Sequence, residues 1–184
     1  MLLNFTMLSN VIIRWDVILI ELLILLAISI FLVVFLQIKF RKCIKQLSAK
    51  NWNYIVKRER YLKFMSLSKP LYDPCMYMLA VANFELYNDT EFELYVEKIR
   101  DKLLWGRKLY LKANYMIVQN ESVTTYLNEV LSQLSLLEDD DAKRCFNVSS
   151  LLFKIKFEGY TRSSEENDVI KGMSSDRIKK EFLS

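Results

Sequence analysis

The chain has 184 residues, 52% of them hydrophobic, and its 26 Lys and Arg against 22 Asp and Glu leave a net charge of +4, too small for a dedicated nucleic-acid binder. It contains no histidine, which excludes Ser-His-Asp and Cys-His nucleophilic machinery, HExxH and Cys/His zinc sites, and imidazole acid–base chemistry. Three glycines and two prolines are too few for a turn-rich β fold and point to long helices.

Residues 17–38 read VILIELLILLAISIFLVVFLQI, and 18 of these 22 are Leu, Ile, Val or Phe. As a helix they span roughly 33 Å, enough to cross a hydrocarbon core. At roughly −0.3 to −0.6 kcal/mol each they outweigh Glu21, which costs about 3 kcal/mol at most. Glu21 lies near the edge of the run, within reach of the interface. Arg14 and Asp16 precede the run, whereas Lys39, Arg41, Lys42, Lys45 and Lys50 follow it. Lys and Arg are retained on the cytoplasmic side. The expectation is therefore a single-pass protein of the cell membrane. Residues 1–16 form a short extracytoplasmic N-terminus, 17–40 a transmembrane helix, and the C-terminal domain is cytoplasmic. A cleaved signal peptide fits less well, because the basic residues follow the run and no A-x-A-like site closes it. The three cysteines, Cys43, Cys75 and Cys145, show no CxxC spacing and suit reduced thiols.

Residues 41–70 form a basic juxtamembrane helical segment. From Lys39 to Lys69 there are ten basic residues and one acid, Glu59. Beneath a bilayer, Lys39, Arg41, Lys42 and Lys45 contact anionic lipid headgroups at about 1 kcal/mol per residue. A helix from about Asn51 to Ser66 ends at Ser68-Lys69-Pro70, where proline blocks continuation. From Asp73 to Asp101 there are seven acids and two bases. Asp73-Pro74 reads as a cap followed by proline at the first helical position. The helix it opens, Cys75 to about Tyr87, is apolar nearly all round and is expected to be the most buried element.

Asn88-Asp89-Thr90 breaks that helix, and Thr90-x-x-Glu93 has capping-box spacing. In the next helix Phe92, Tyr95, Val96, Ile99 and Leu103 form one apolar stripe. Gly106 fits a helix terminus. A helix over about Lys108–Val118 halts at Gln119-Asn120-Glu121-Ser122. The following helix carries Val123, Tyr126, Leu127, Val130, Leu131 and Leu134 as its stripe. Glu138-Asp139-Asp140-Asp141 lacks the alternating ligands and glycine of a calcium loop and reads as a solvated loop and cap. A helix from Ala142 to about Phe157 follows. Residues 159–184 form a polar tail, partly helical, whose last segment, Asp176 to Leu183, is weakly amphipathic.

A shift of 31 residues lays Ala82–Leu103 over Ala113–Leu134, with four identities in 22 positions: Ala82/Ala113, Asn83/Asn114, Tyr95/Tyr126 and Leu103/Leu134. Helix, polar turn and second helix, repeated at this period, is the signature of a stacked α-hairpin array. Any two amphipathic hairpins of similar length share some of this agreement. The pattern resembles tetratricopeptide (TPR) repeats, specifically the short bacterial proteins with one N-terminal membrane helix, a basic stop and a divergent TPR-like cytoplasmic domain. The period is shorter than the usual ~34 residues and the turn lacks glycine. The resemblance implies an all-α fold: the transmembrane helix, then a TPR-like stack of antiparallel hairpins over residues 71–158. It also implies a partner-binding groove, for which Asn83 and Asn114 are candidates; a capping or packing role is the alternative for each.

No phosphate loop, carboxylate pair or metal-ligand spacing stands out, so no enzyme activity, metal or cofactor is expected. The expected function is a membrane-anchored helical-repeat scaffold that binds a protein partner at the cytoplasmic face. Its acids at Glu85, Asp89, Glu91, Glu93 and Glu97 either favour a basic ligand, solvate an exposed face, or meet the chain's own basic residues. The alternative is a small membrane-acting effector or toxin-like protein whose transmembrane helix oligomerises, motivated by the intramembrane polar residue Glu21.

Overall fold

The computed structural model describes residues 15–119, 124–137 and 139–183. Every regular element among them is helical. Residues up to Lys45 form one compact unit and those from Gln46 onward a second. Most of the expected extracytoplasmic stretch lies outside the described residues, as do Asn120, Glu121, Ser122, Val123 and Glu138 of the expected turns and stripe.

The first unit is built on α1, Trp15–Ser48, 34 residues long. Its apolar side chains from Val17 to Val34 are exposed, and its mean hydropathy reaches 3.2. By length and composition α1 is able to cross a bilayer; an N-terminal signal sequence meets the same test. Ser29 donates its hydroxyl to the Leu25 carbonyl at 2.8 Å, so its polar group is satisfied within the helix.

In the second unit the expected helix over 51–66 is two helices, α2 (Trp52–Lys57) and α3 (Glu59–Met65), broken at Arg58. Asn51 caps α2 by accepting the Tyr54 N–H at 3.3 Å.

Helix α4 runs Lys69–Glu85, so it begins earlier than Asp73-Pro74 suggests. Pro70 occupies the first turn, where its missing N–H costs nothing, and Pro74 is tolerated one turn further in. Asp73 accepts backbone N–H bonds as a cap does, but from elsewhere in the chain: Arg100 at 2.5 Å and Asp101 at 3.2 Å. As expected, α4 is buried nearly all round, from Cys75 through Glu85.

Helix α5 (Asp89–Glu97) starts on Asn88 rather than Thr90. Phe92, Tyr95, Val96 and Ile99 are buried as the stripe requires, but Leu103 is 89% exposed. The helix has ended by then, and Leu103 sits in a 3-10 turn, Lys102–Leu104. Gly106 lies inside α6 (Trp105–Val118) rather than at a terminus. A Cβ there would meet Ala142 and Leu137 side-chain carbons at 3.3 Å, so glycine permits the close approach of these segments. Helices α7 (Thr124–Ser135) and α8 (Asp140–Phe157) follow.

The tail is more ordered than its polarity suggests. Helix α9 (Ser164–Gly172) begins on a complete capping box formed by Ser163 and Glu166, and α10 runs Asp176–Leu183. Arg177, Ile178 and Phe182 of α10 are buried. Helix α4 packs against α2, α3 and α5, α6 against α7 and α8, and α10 against α4, α6 and α9. Rings join three of the elements: Phe84 to Phe92 at 5.5 Å between centroids and Phe92 to Tyr115 at 4.6 Å.

The 31-residue shift pairs Leu103 with Leu134, yet Leu134 is fully buried and Leu103 is not. Leu134→Ala is expected to destabilise the protein by about 2–5 kcal/mol, and Leu103→Ala to stay within about 0.5 kcal/mol of the parent. Urea denaturation of the full chain in detergent micelles, followed by circular dichroism, measures both.

Candidate functional site

The structure places the two asparagines singled out by the sequence inside the fold. Asn83 is 2% exposed and Asn114 1% exposed, so neither side chain lines a solvent-facing groove. Asn83 donates to the Leu79 carbonyl at 2.8 Å and accepts from the Asn88 side chain at 3.1 Å. Its backbone carbonyl takes the Asn88 N–H at 3.0 Å while Phe84 takes the Tyr87 N–H at 3.2 Å, which is a Schellman ending for α4. Asn114 accepts the Ser149 hydroxyl at 3.1 Å, tying α6 to α8, and its side-chain nitrogen has no hydrogen-bond partner among the described residues. Both are enclosed by the fold, and each bonds through its side chain to a neighbouring group.

Glu21 is exposed on α1. Arg41, Lys42 and Lys45 are exposed as well, and Lys39 lies half-buried with its Nζ 4.2 Å from the Phe35 ring centroid. At roughly 100° per residue these four cations fall within an arc of about 160°, on one side of the helix.

The densest polar constellation sits at the C-terminal end of α4, at Arg177, a residue that carried no signal in the sequence. The Schellman ending requires a left-handed residue after the helix, ordinarily Gly or Asn; here it is Tyr87, with φ +60°. That conformation costs about 1 kcal/mol and fixes the ring beside the helix end. The Arg177 guanidinium lies 4.6 Å from the Tyr87 ring centroid, 4.8 Å from Phe84 and 5.9 Å from Tyr115. Its Nη1 donates to the Phe84 carbonyl at 2.9 Å and to Asp89 at 2.7 Å. Asp89 is itself held by the Gln119 side chain.

Glu85 completes the arrangement. One of its oxygens accepts the backbone N–H groups of Asp176 at 3.0 Å and Arg177 at 3.1 Å, and Ser175 accepts that of Ile178 at 3.2 Å. The open donors at the start of α10 are thus met, two of them by another helix. The negative end of the α4 dipole and two carboxylates face the positive end of α10 and its arginine.

A second cluster links α5 to α6. Lys108, 6% exposed, donates to the carbonyls of Glu97 at 3.1 Å and Ile99 at 3.0 Å, where α5 ends. Lys112 meets the Glu97 carboxylate at 2.7 Å. Partial burial pushes that carboxyl up, but the two lysines win and hold it below the usual range.

A cavity of about 680 Å³ lies between α6 and the start of α8, lined by Lys102, Arg107, Arg144, Asp139, Asp141 and Cys145 among others. Burial and the neighbouring Asp141 push the Cys145 thiol up, with Arg107 only partly opposing, so it stays protonated and is a poor nucleophile at neutral pH. Among the described residues no three His, Cys, Asp or Glu side chains gather as metal ligands.

Comparison with family models, curated proteins and solved structures finds no match to this chain. Of the residues in this constellation, Glu85 and Asp89 were visible in the sequence as acids open to a basic ligand or to the chain's own basic residues; Arg177 was not. The signals available for its helix were the Ser163-x-x-Glu166 spacing ahead of α9 and the Ser175-Asp176 cap ahead of α10.

Burial and a 2.6 Å bond to Glu59 push the Tyr95 phenol up to about 12, and burial does the same for Tyr110. Both folded values exceed the ordinary ~10 of an unfolded tyrosine, so their stabilisation is complete below about pH 10 and is lost as pH rises toward 12. Tyrosinate absorbance should show Tyr95 and Tyr110 among the phenols that ionise late, and Tyr110→Phe should remove one of these.

Proposed function

We propose that the chain is a membrane-tethered helical scaffold: α1 crosses the bilayer once, the residues after it face the cytoplasm, and the helices beyond it bind a protein partner there. The observation that carries the proposal is the exposed apolar surface of α1, from Val17 to Val34, followed at once by Lys39, Arg41, Lys42 and Lys45. Side chains this apolar are stabilised by removal from water, and a bilayer removes all of them together. The cations favour the cytoplasmic leaflet, whose anionic headgroups attract them at about 1 kcal/mol each.

The partner-binding half of the proposal is supported by architecture. Helices α4 to α8 contact their sequence neighbours and, through α4–α6 and α6–α8, the next-but-one helix. That contact pattern suits a stack of antiparallel hairpins of the TPR kind, which uses its surface for binding. Tethering raises the local concentration of whatever the stack engages.

Alkaline carbonate washing should leave the protein in the membrane pellet, and a reporter fused after Ser184 should be active only as a cytoplasmic fusion. Replacing Lys39, Arg41, Lys42 and Lys45 together by Gln should lower the fraction of correctly oriented reporter. Cross-linking in intact cells should then recover a defined partner through residues beyond Gln46. Release by carbonate, or an external reporter, overturns the proposal.

A further inference from the structure

We infer that the recess at the end of α4, formed by Glu85, Asp89, Phe84, Tyr87 and Tyr115, is a receptor for an arginine-led amphipathic helix of a protein partner, and that α10 is its resident, displaceable occupant. The inference deepens the scaffold proposal and rests on it for the existence of a partner.

The recess recognises features that any helix of the right chemistry offers. Glu85 takes two first-turn backbone N–H groups, which carry no sequence information. Asp89 and the Phe84 carbonyl take a guanidinium, and the three rings flank it, a combination that selects arginine over lysine. Ile178 and Phe182 add apolar anchors one and five residues after the arginine.

The resident helix is held by docking alone: besides the recess, Lys156 pairs with Glu181 and Arg162 donates to the Phe182 carbonyl. It is only 8 residues long, too short to persist as a helix unless docked. The ion pair at its start, Lys50 to Asp176 at 2.8 Å, is well exposed on both sides (37% and 59%) and therefore weak. The cis fit is also imperfect: the Arg177 Nε is buried and finds no hydrogen-bond partner among the described residues. A buried donor left unmet favours exchange for an occupant that supplies the missing acceptor. The strained Tyr87 belongs to the recess, not to α10, as expected where a fold maintains a binding surface.

The test uses the full chain in detergent micelles and a labelled peptide with the sequence of residues 174–184. The chain carrying Arg177→Ala should bind this peptide at least about tenfold more tightly than the parent, because its own tail no longer competes. The peptide carrying the same Arg→Ala change should bind at least about tenfold more weakly, and Glu85→Gln with Asp89→Asn should abolish binding although the tail is free there too. Hydrogen exchange on the unaltered chain serves if the Arg177→Ala chain fails to fold: the amides of residues 177–183 should exchange about a hundredfold faster than those of 75–85.

A folded Arg177→Ala chain that ignores the peptide overturns the inference. Tail amides that open only with α4 do the same. Stable pairing of differently labelled parent chains through exchanged tails would make a second copy the occupant and overturn the assignment to a partner helix. None of these measurements depends on membrane orientation or a cellular partner, so their failure is distinguishable from failure of the scaffold proposal.

Discussion

Helix α4 is apolar on nearly every side, and a helix of that kind must be surrounded. That requirement organises the whole second unit: α2, α3, α5, α6 and α10 all pack on α4. The aromatic chain Phe84–Phe92–Tyr115 carries the contact onward from α4 through α5 to α6. The same helix supplies, at its C-terminal end, the carbonyl, carboxylate and strained tyrosine that hold Arg177. Core and candidate site are therefore two ends of one constraint. Burying α4 places its last turn, closed by its own Schellman bonds, against the start of α10.

Much of this was legible in the residues. Periodicity located α5, α6 and α7 and the burial of Phe92, Tyr95, Val96, Leu127, Val130 and Leu134, because a 3.6-residue stripe has one physical solution. The long N-terminal run was equally plain. Local signals failed where tertiary contacts overrode them. Asp73-Pro74 has the chemistry of a helix start, but Pro70 provides another first turn and Asp73 instead serves Arg100 and Asp101. Leu103 continues the stripe in register, yet the chain leaves the helix at Lys98. Periodicity says nothing of where a helix stops.

The site was less legible, for a reason of principle. Asn83 and Asn114 drew attention because they recur at one spacing, but recurrence in equivalent positions marks equivalent packing as readily as equivalent binding. Both are buried and bonded within the fold. Arg177 lies in a polar tail 88 residues from Asp89, and only the folded chain brings the two together. A single arginine in a charged segment carries no signal until its partners are known.

The acidic stretch from Asp73 to Asp101 shows how charge that looks like a surface property becomes internal wiring. Asp73 ties the end of α5 to α4, Glu85 caps α10, and Asp89 pairs with Arg177. Glu93 accepts the Tyr115 hydroxyl at 2.7 Å, and Glu97 meets Lys108 and Lys112. Each of these acids fixes one helix against another, which apolar packing alone does not orient. Net charge along the sequence therefore overstates the field available to a ligand. What remains for recognition is the α10 recess, where Asp89 already holds a guanidinium and Glu85 two backbone N–H groups, and the same electrostatics that close the fold define what can replace its last helix.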